Sequence, residues 1–175
     1  MRITVLVGNP KPGSRTLAVG AALAERLAAL AGGAEVLVVD LADVSDRLFR
    51  WPDDELAALG RTVASSDLLV VASPTYKATY TGLLKAFLDR YGEAALTGVP
   101  TIPVMTAGSD RHALASDVHL RPLLVELGAC VPTPGFFLPM ADLERLDQVL
   151  DTWLAVNARP VQLLLAGLRP QPAVE

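Results

Sequence analysis

One cysteine, two histidines and 5% aromatic residues mark what this 175-residue chain has little of. A single thiol, Cys130, cannot close an intrachain disulfide, and no Cys/His metal spacing can be built from it. Charged residues make up only 19% of the chain, which excludes a solvated, disordered segment. Neither sign of charge dominates. The 15 Lys+Arg stand against 19 Asp+Glu, a net charge of −4, so no basic face for nucleic acid is expected. Long apolar runs are also missing. Leu68–Ala72 and Leu163–Leu168 fall far short of the roughly 18 residues that cross a bilayer. Ile3–Val7 is too short for the apolar core of a signal peptide and runs straight into a Pro/Gly loop. Internal repeats are absent. Together these absences predict a cytoplasmic protein with no membrane and no nucleic-acid partner.

What the chain has in quantity is apolar side chain, 51% of residues. The length suits one compact domain, read here as residues 1–168 with a frayed tail at 169–175. The apolar excess points to a homo-oligomer. Five short runs, Ile3–Val7, Glu35–Val39, Leu68–Ala72, Thr101–Met105 and Val131–Leu138, read as strands covered on both faces, as in a parallel sheet. Between and after them lie helical patterns at Thr16–Leu30, Asp53–Ala64, Tyr80–Tyr91, Ala113–Leu127 and Asp142–Asn157, with a further apolar stretch at Val161–Leu168. This alternation predicts an α/β fold, a flavodoxin-like doubly wound five-stranded parallel sheet of order 2-1-3-4-5. Ligands of such sheets bind beyond the strand C-termini, so the loops after Val7, Ala72 and Met105 should carry the chemistry.

The first of these loops is Gly8-Asn9-Pro10-Lys11-Pro12-Gly13-Ser14-Arg15-Thr16. Asn9, Ser14 and Thr16 can donate hydrogen bonds, and Lys11 and Arg15 carry charge. The first N–H groups of the following helix have no intrahelical partner, and its dipole favours an anion. A phosphate monoester is the economical ligand. Pro10 breaks a dinucleotide Gly-x-Gly-x-x-Gly fingerprint, and Ser14-Arg15 stands where a P-loop needs Lys-Ser/Thr. No acidic pair follows the first strand, which excludes a receiver domain. The alternative, an ordinary Gly/Pro loop with Ser14 merely capping the helix, is disfavoured by five polar donors in nine residues.

The second loop, Ser73-Pro74-Thr75-Tyr76-Lys77-Ala78-Thr79-Tyr80-Thr81-Gly82, offers a flat amphipathic face at Tyr76, donors at Thr75 and a cation at Lys77. With Leu83-Leu84-Lys85-Ala86-Phe87-Leu88-Asp89 it resembles the Ser-Pro-x-Tyr…Gly-x-Leu-Lys-x-x-x-Asp signature of the NADPH-dependent FMN reductase family. The first loop resembles that family's phosphate loop, with Asn9 for the usual Ser and Lys11 for the usual Arg. The resemblance spans nearly all of residues 1–140. Residues 74–85 and Thr106-Ala107-Gly108-Ser109 are similar to the reductases that serve alkanesulfonate and methanesulfonate monooxygenases.

The resemblance implies that Asn9, Lys11, Ser14, Arg15 and Thr16 hold the FMN phosphate. Pro74, Thr75, Tyr76 and Lys77 would lie along the isoalloxazine, and Thr106, Gly108, Ser109 and Asp110 would close its other side. It implies FMN and NADPH or NADH as cofactors, hydride transfer at flavin N5 with no catalytic protein residue and no metal, and a homodimer or homotetramer with a partner monooxygenase. It also implies a π-bulge in the fourth helix near Asp117-Val118-His119, where Pro122 already forbids a regular helix. The alternatives are an enzyme that retains FMN and reduces quinones or azo compounds, and a flavodoxin-type electron carrier.

Other residues stay open. Lys77 and Arg111 fit either the NADPH 2′-phosphate or bare solvent. His112 and His119 lack an orienting partner nearby in sequence. Asp40 reads as a loop residue, and Cys130 as buried packing beside the fifth strand.

Overall fold

The computed structural model describes residues 1–168; the expected tail at 169–175 lies outside them. Five parallel strands, β1 (Arg2–Val7), β2 (Glu35–Asp40), β3 (Leu68–Pro74), β4 (Thr101–Ala107) and β5 (Phe136–Pro139), form one sheet of order β2-β1-β3-β4-β5. The order is the expected one, and it reverses direction between β1 and β3. Around the sheet lie α1 (Arg15–Leu30), α2 (Asp54–Ala64), α3 (Gly82–Leu88), α4 (Arg121–Glu126), α5 (Leu146–Val156) and α6 (Ala158–Gly167).

The period-two alternation of the strands sorts their side chains onto two cores. Ile3, Val5, Val7, Val70 and Val104 pack under α1, α5 and α6 against Leu23, Leu27, Leu150 and Val161. Leu6, Leu69, Val71 and Met105 face α2, α3 and α4, against Leu56, Leu84, Phe87 and Leu124. Both faces of the inner strands are therefore dry, which is why their sequences read as continuous apolar runs. Each such Val or Leu stabilises the fold by about 1.5–3 kcal/mol.

Several elements depart from expectation. The third helix was expected over Tyr80–Tyr91 and forms only over Gly82–Leu88. Thr81 caps it, accepting from the Leu84 N–H at 3.1 Å, and Tyr76 and Thr79 exchange backbone hydrogen bonds in a tight turn before it. The fourth, expected over Ala113–Leu127, is a π-helix at Ser116–Leu120 running into α4, and a 3₁₀ turn at Asp110–His112 precedes it. Pro122 has no N–H to return to the preceding turn. The Asp117 carboxylate pins the wide turn, accepting from Arg121 Nε and Nη2 and from the Gly135 N–H.

The fifth strand begins at Phe136 rather than Val131. Pro132 and Pro134 cannot donate to a ladder, and the Arg121 guanidinium takes the carbonyls of Val131 and Thr133. Cys130 is exposed rather than buried. The fifth helix, expected over Asp142–Asn157, opens as a 3₁₀ segment at Met140–Arg145 and becomes α-helical at Leu146. The apolar stretch expected at Val161–Leu168 belongs to α6, whose first turn accommodates Pro160. No helix among the described residues is long and apolar enough to cross a membrane.

Candidate functional site

Strand order decides where a crevice opens. β1 sends its chain to one side and β3 to the other, so the loops following them part at the C-terminal edge of the sheet. A cleft of about 470 Å³ lies there. The loop after β1 lines it with Asn9, Lys11, Gly13, Ser14, Arg15 and Thr16. The end of β3 and its loop contribute Pro74, Thr75 and Tyr76, and the end of β4 contributes Thr106, Ala107 and Gly108. Met140, just past β5, completes the lining.

The β1–α1 loop is shaped by its own side chains. Asn9 Oδ1 accepts from the Lys11 N–H at 3.0 Å, and Ser14 caps α1, accepting from the Leu17 N–H at 3.2 Å. Gly13 takes the left-handed conformation, φ +59°, at no steric cost. The N–H groups of Ser14, Arg15 and Thr16 have no acceptor, the open N-terminus of a sixteen-residue helix. At the strand end Gly8 lies against α3; a Cβ there would sit 2.5 Å from Leu84 Cβ.

Hydrogen bonds tie the three loops together. Thr16 Oγ1 lies 3.1 Å from Asn9 Nδ2 and 2.9 Å from Thr106 Oγ1, joining the first loop to β4 through buried side chains. The Thr75 N–H donates to the Thr106 carbonyl at 2.6 Å. The Thr81 hydroxyl donates to the Gly8 carbonyl at 2.5 Å. The cleft wall is thus cross-linked without any charged pair. Thr75 Oγ1 is the exception, a buried hydroxyl with no partner. A buried hydroxyl without a partner is costly, and a ligand polar group beside it would remove that cost.

Cations gather at this edge. Arg26, Arg47, Arg50, Lys85, Arg121 and Arg145 pair with carboxylates elsewhere on the molecule. Among the described residues the side chains of Lys11, Arg15, Lys77 and Arg111 make no hydrogen bond or ion pair, a state shared only by Arg61 and Arg159. An anion meeting the loop therefore finds uncommitted positive charge beside three free N–H groups.

Of the expected site residues, Asn9, Lys11, Ser14, Arg15, Thr16, Pro74, Thr75, Tyr76, Thr106 and Gly108 meet in the cleft. Pro74 closes β3 in register with Thr106. Lys77, Ser109, Asp110 and Arg111 lie outside the lining. Lys77 and Ala78 both have positive φ, in the tight turn that follows Tyr76. Asp110 and Arg111 border a neighbouring hollow of about 360 Å³ with His112 and His119. No histidine reaches the main cleft.

Gly13, Ala107 and Met140 line the cleft without having been singled out as ligand contacts. Met140 follows β5, and the rule that ligands sit past strand C-termini extends to that loop as well. Asp40, expected as a loop residue, is the last residue of β2. It braces the first loop, accepting the Gly13 N–H at 3.1 Å. A second cavity of similar size, about 460 Å³, lies between α2 and the end of α3. Its floor is Phe87 and Tyr91, and Arg90 stacks 4.3 Å from the Trp51 ring. Burial pushes the Tyr91 phenol well above its ordinary ionisation range.

The arrangement suits an anion at one end and a flat, partly polar group at the other. It holds no nucleophile–base pair. The sequence profile of a family described as NADPH-dependent FMN reductase matches residues 1–142. The NADH-dependent FMN reductase SfnF of Pseudomonas putida is 33% identical, covering 92% of this chain and 95% of the relative. The FMN reductase (NADPH) of Escherichia coli is 33% identical, covering 93% and 94%. Among solved structures, the apo form of the NADH:FMN oxidoreductase EMOB has a TM-score of 0.78 at 30% identity, covering 98% of this chain and 92% of that one. An oxidoreductase of Corynebacterium diphtheriae has a TM-score of 0.80 at 31% identity, covering 96% of each.

Proposed function

This chain belongs to the NADPH-dependent FMN reductase family and is an oxidoreductase that uses NAD(P)H to reduce FMN, and we propose that the cleft at the β1/β3 switch point is where its FMN binds. The observation that carries this is the convergence of three free N–H groups with the unpaired Lys11 and Arg15. Asn9, Lys11, Ser14, Arg15 and Thr16 hold the phosphate. Pro74, Thr75 and Tyr76 lie along the ring system, with Lys77 beyond them at the solvent side. Thr106 and Gly108 close the far side, with Ser109 and Asp110 following them just beyond the lining. The unpartnered Thr75 hydroxyl supports this fit, because a ring-edge nitrogen or oxygen satisfies it.

Bound FMN supplies the electron-accepting ring, and the nicotinamide supplies the hydride. The protein's part is to bind and orient. The loop N–H groups and cations fix the phosphate end, which sets the position of the ring. Tyr76, half exposed beside the cleft, shields the ring from water. Lys77 and Arg111 attract the nucleotide's phosphates from the solvent side. Hydride transfer between the two cofactors needs no side chain to move a proton.

Reduced flavin then leaves for a monooxygenase. Lys11 supports release over retention: it meets phosphate as a point charge, where an Arg would grip with a bidentate fork. The whole described chain, residues 1–168, serves as one reductase domain. It acts in the cytoplasm, where reduced nicotinamide nucleotides and FMN are found. It assembles with further copies across the exposed apolar side chains Leu114, Val118 and Val125 beside the π-helix.

The test follows NADPH and NADH oxidation by purified protein over a range of added FMN. Turnover that requires free FMN and saturates with it supports release. Turnover without added flavin, on a yellow protein that reduces quinones or azo compounds, replaces release with retention. FMN binding with no oxidation of either nucleotide leaves an electron carrier and refutes the assignment.

A further inference from the structure

The loop that grips the phosphate contains one N–H already spoken for. β2 pairs with β1 so that Asp40 lies beside Val7, the last residue before the loop. Both oxygens of the Asp40 carboxylate are engaged. Oδ1 accepts from the Ala42 N–H at 3.2 Å, in the turn its own strand enters, and Oδ2 accepts from the Gly13 N–H at 3.1 Å, across twenty-seven residues. Among the described residues no Lys or Arg pairs with this carboxylate. Its two acceptors are spent on holding two backbone segments together.

We propose that Asp40 is a positioning residue for phosphate recognition: it clamps Gly13 in its left-handed conformation and so keeps the next three N–H groups aimed into the cleft. The inference rests on the reading of the β1–α1 loop as the FMN phosphate site. Its physical basis is local. Gly13 has no side chain, and nothing lies within 4 Å of where a Cβ would be, so packing does not fix its conformation. Pro10, Lys11, Pro12 and Gly13 are all exposed. Between the Asn9–Lys11 bond and the Ser14 cap, the Asp40 bond is what holds the segment. Without it, Gly13 regains the backbone freedom that glycine has in excess. The loop must then be ordered at the moment of binding. Fixing one residue's backbone costs on the order of tenfold in an equilibrium constant.

A carboxylate beside an anion site would ordinarily weaken binding by repulsion. Here both oxygens accept backbone N–H groups, and the solvent-exposed loop screens the charge. Order therefore outweighs repulsion, and removing Asp40 weakens binding rather than strengthening it.

The test compares FMN with riboflavin, which keeps the ring and lacks the phosphate. Flavin binding to the full chain is measured by fluorescence quenching, and the KM for FMN and kcat by nucleotide oxidation. Asp40→Ala is expected to raise the FMN Kd and KM roughly tenfold, to leave riboflavin binding within about twofold, and to leave kcat at saturating FMN nearly unchanged. Asp40→Asn keeps the side-chain volume and one acceptor. It is expected to show the same contrast at roughly threefold, and it serves if the alanine variant does not fold. FMN affinity that is unchanged or tighter in both variants overturns the inference. Equal weakening of FMN and riboflavin also overturns it, because a general loss of structure would do that. If the unaltered protein does not prefer FMN to riboflavin, the phosphate-loop reading itself falls, which separates that failure from the failure of Asp40.

Discussion

Replacing Thr16 with Val tests whether the cleft is held by the hydroxyl cross-link between loops. The change nearly preserves shape and removes one oxygen. That oxygen lies 3.1 Å from Asn9 Nδ2 and 2.9 Å from Thr106 Oγ1. All three residues are buried: Thr16 is 2% exposed, Asn9 8% and Thr106 2%. Water cannot readily replace the lost partner. Each broken buried bond costs about 1–1.5 kcal/mol, so Thr16→Val should lose about 2–3 kcal/mol. Unfolding entropy near about 2.1 cal/mol/K per residue over 175 residues converts this to a Tm drop of roughly 5–8 °C. FMN affinity should fall with it, because the loops that meet at Thr16 line the cleft.

A second variant sharpens the argument. Thr106→Val alone leaves Asn9 and Thr16 paired and loses one bond. Thr16→Val/Thr106→Val breaks the same two bonds as Thr16→Val but removes the stranded Thr106 hydroxyl, so it should cost about 1 kcal/mol less than the sum of the single changes. Thermal unfolding by circular dichroism, with FMN titration of each variant, reads both effects. A Tm within 1 °C of the parent, or strict additivity, would show that the hydroxyl bridge does not hold the loops.

Lys11→Met and Arg15→Met should each weaken FMN by about tenfold, with riboflavin unaffected and a shallower salt dependence; calorimetric titration at two ionic strengths checks this. Gly8→Ala forces a Cβ to within 2.5 Å of Leu84 Cβ and 3.3 Å of the Leu84 Cα, so strand and helix must part. A loss of about 2–3 kcal/mol is expected in urea unfolding, with weaker flavin binding. Asp53 caps α2, accepting the Leu56 N–H at 3.0 Å, and also accepts from Arg47. Those bonds hold its carboxyl below the ordinary value of 3.8. The stabilisation is complete above that value and is lost as pH falls through the lower folded value. Asp53→Asn should therefore flatten the acid limb of the stability curve below about pH 4, read by thermal unfolding across pH; an unchanged limb counts against the cap.

The pattern of apolar runs was enough to determine the sheet. Burial on both faces leaves a periodicity-free stretch of Val and Leu, and right-handed crossovers leave few orders, so β2-β1-β3-β4-β5 was legible before any coordinate. The turn and cap of the first loop were legible too, because Gly13 permits a left-handed conformation and Ser14 is a strong helix cap by local chemistry alone. The π-helix was foreshadowed by Pro122, but its pinning by Asp117 against Arg121 and Gly135 joins segments eighteen residues apart. The apolar run Val131–Leu138 overstates β5, because the prolines at 132 and 134 cannot donate to a ladder and an arginine from α4 takes their neighbours' carbonyls.

Tertiary structure alone decided the partners that no spacing encodes. Thr16 meets Thr106 across ninety residues, and Asp40 meets Gly13 across twenty-seven. A hydroxyl or carboxylate in sequence offers several bonds, and only the closed fold selects which are made. The exposure of Cys130 has the same origin, since a single apolar-looking residue does not reveal whether its strand has begun. Local sequence set the elements and their order; the long-range hydrogen bonds, which depend on chain closure rather than pattern, set the shape of the cleft.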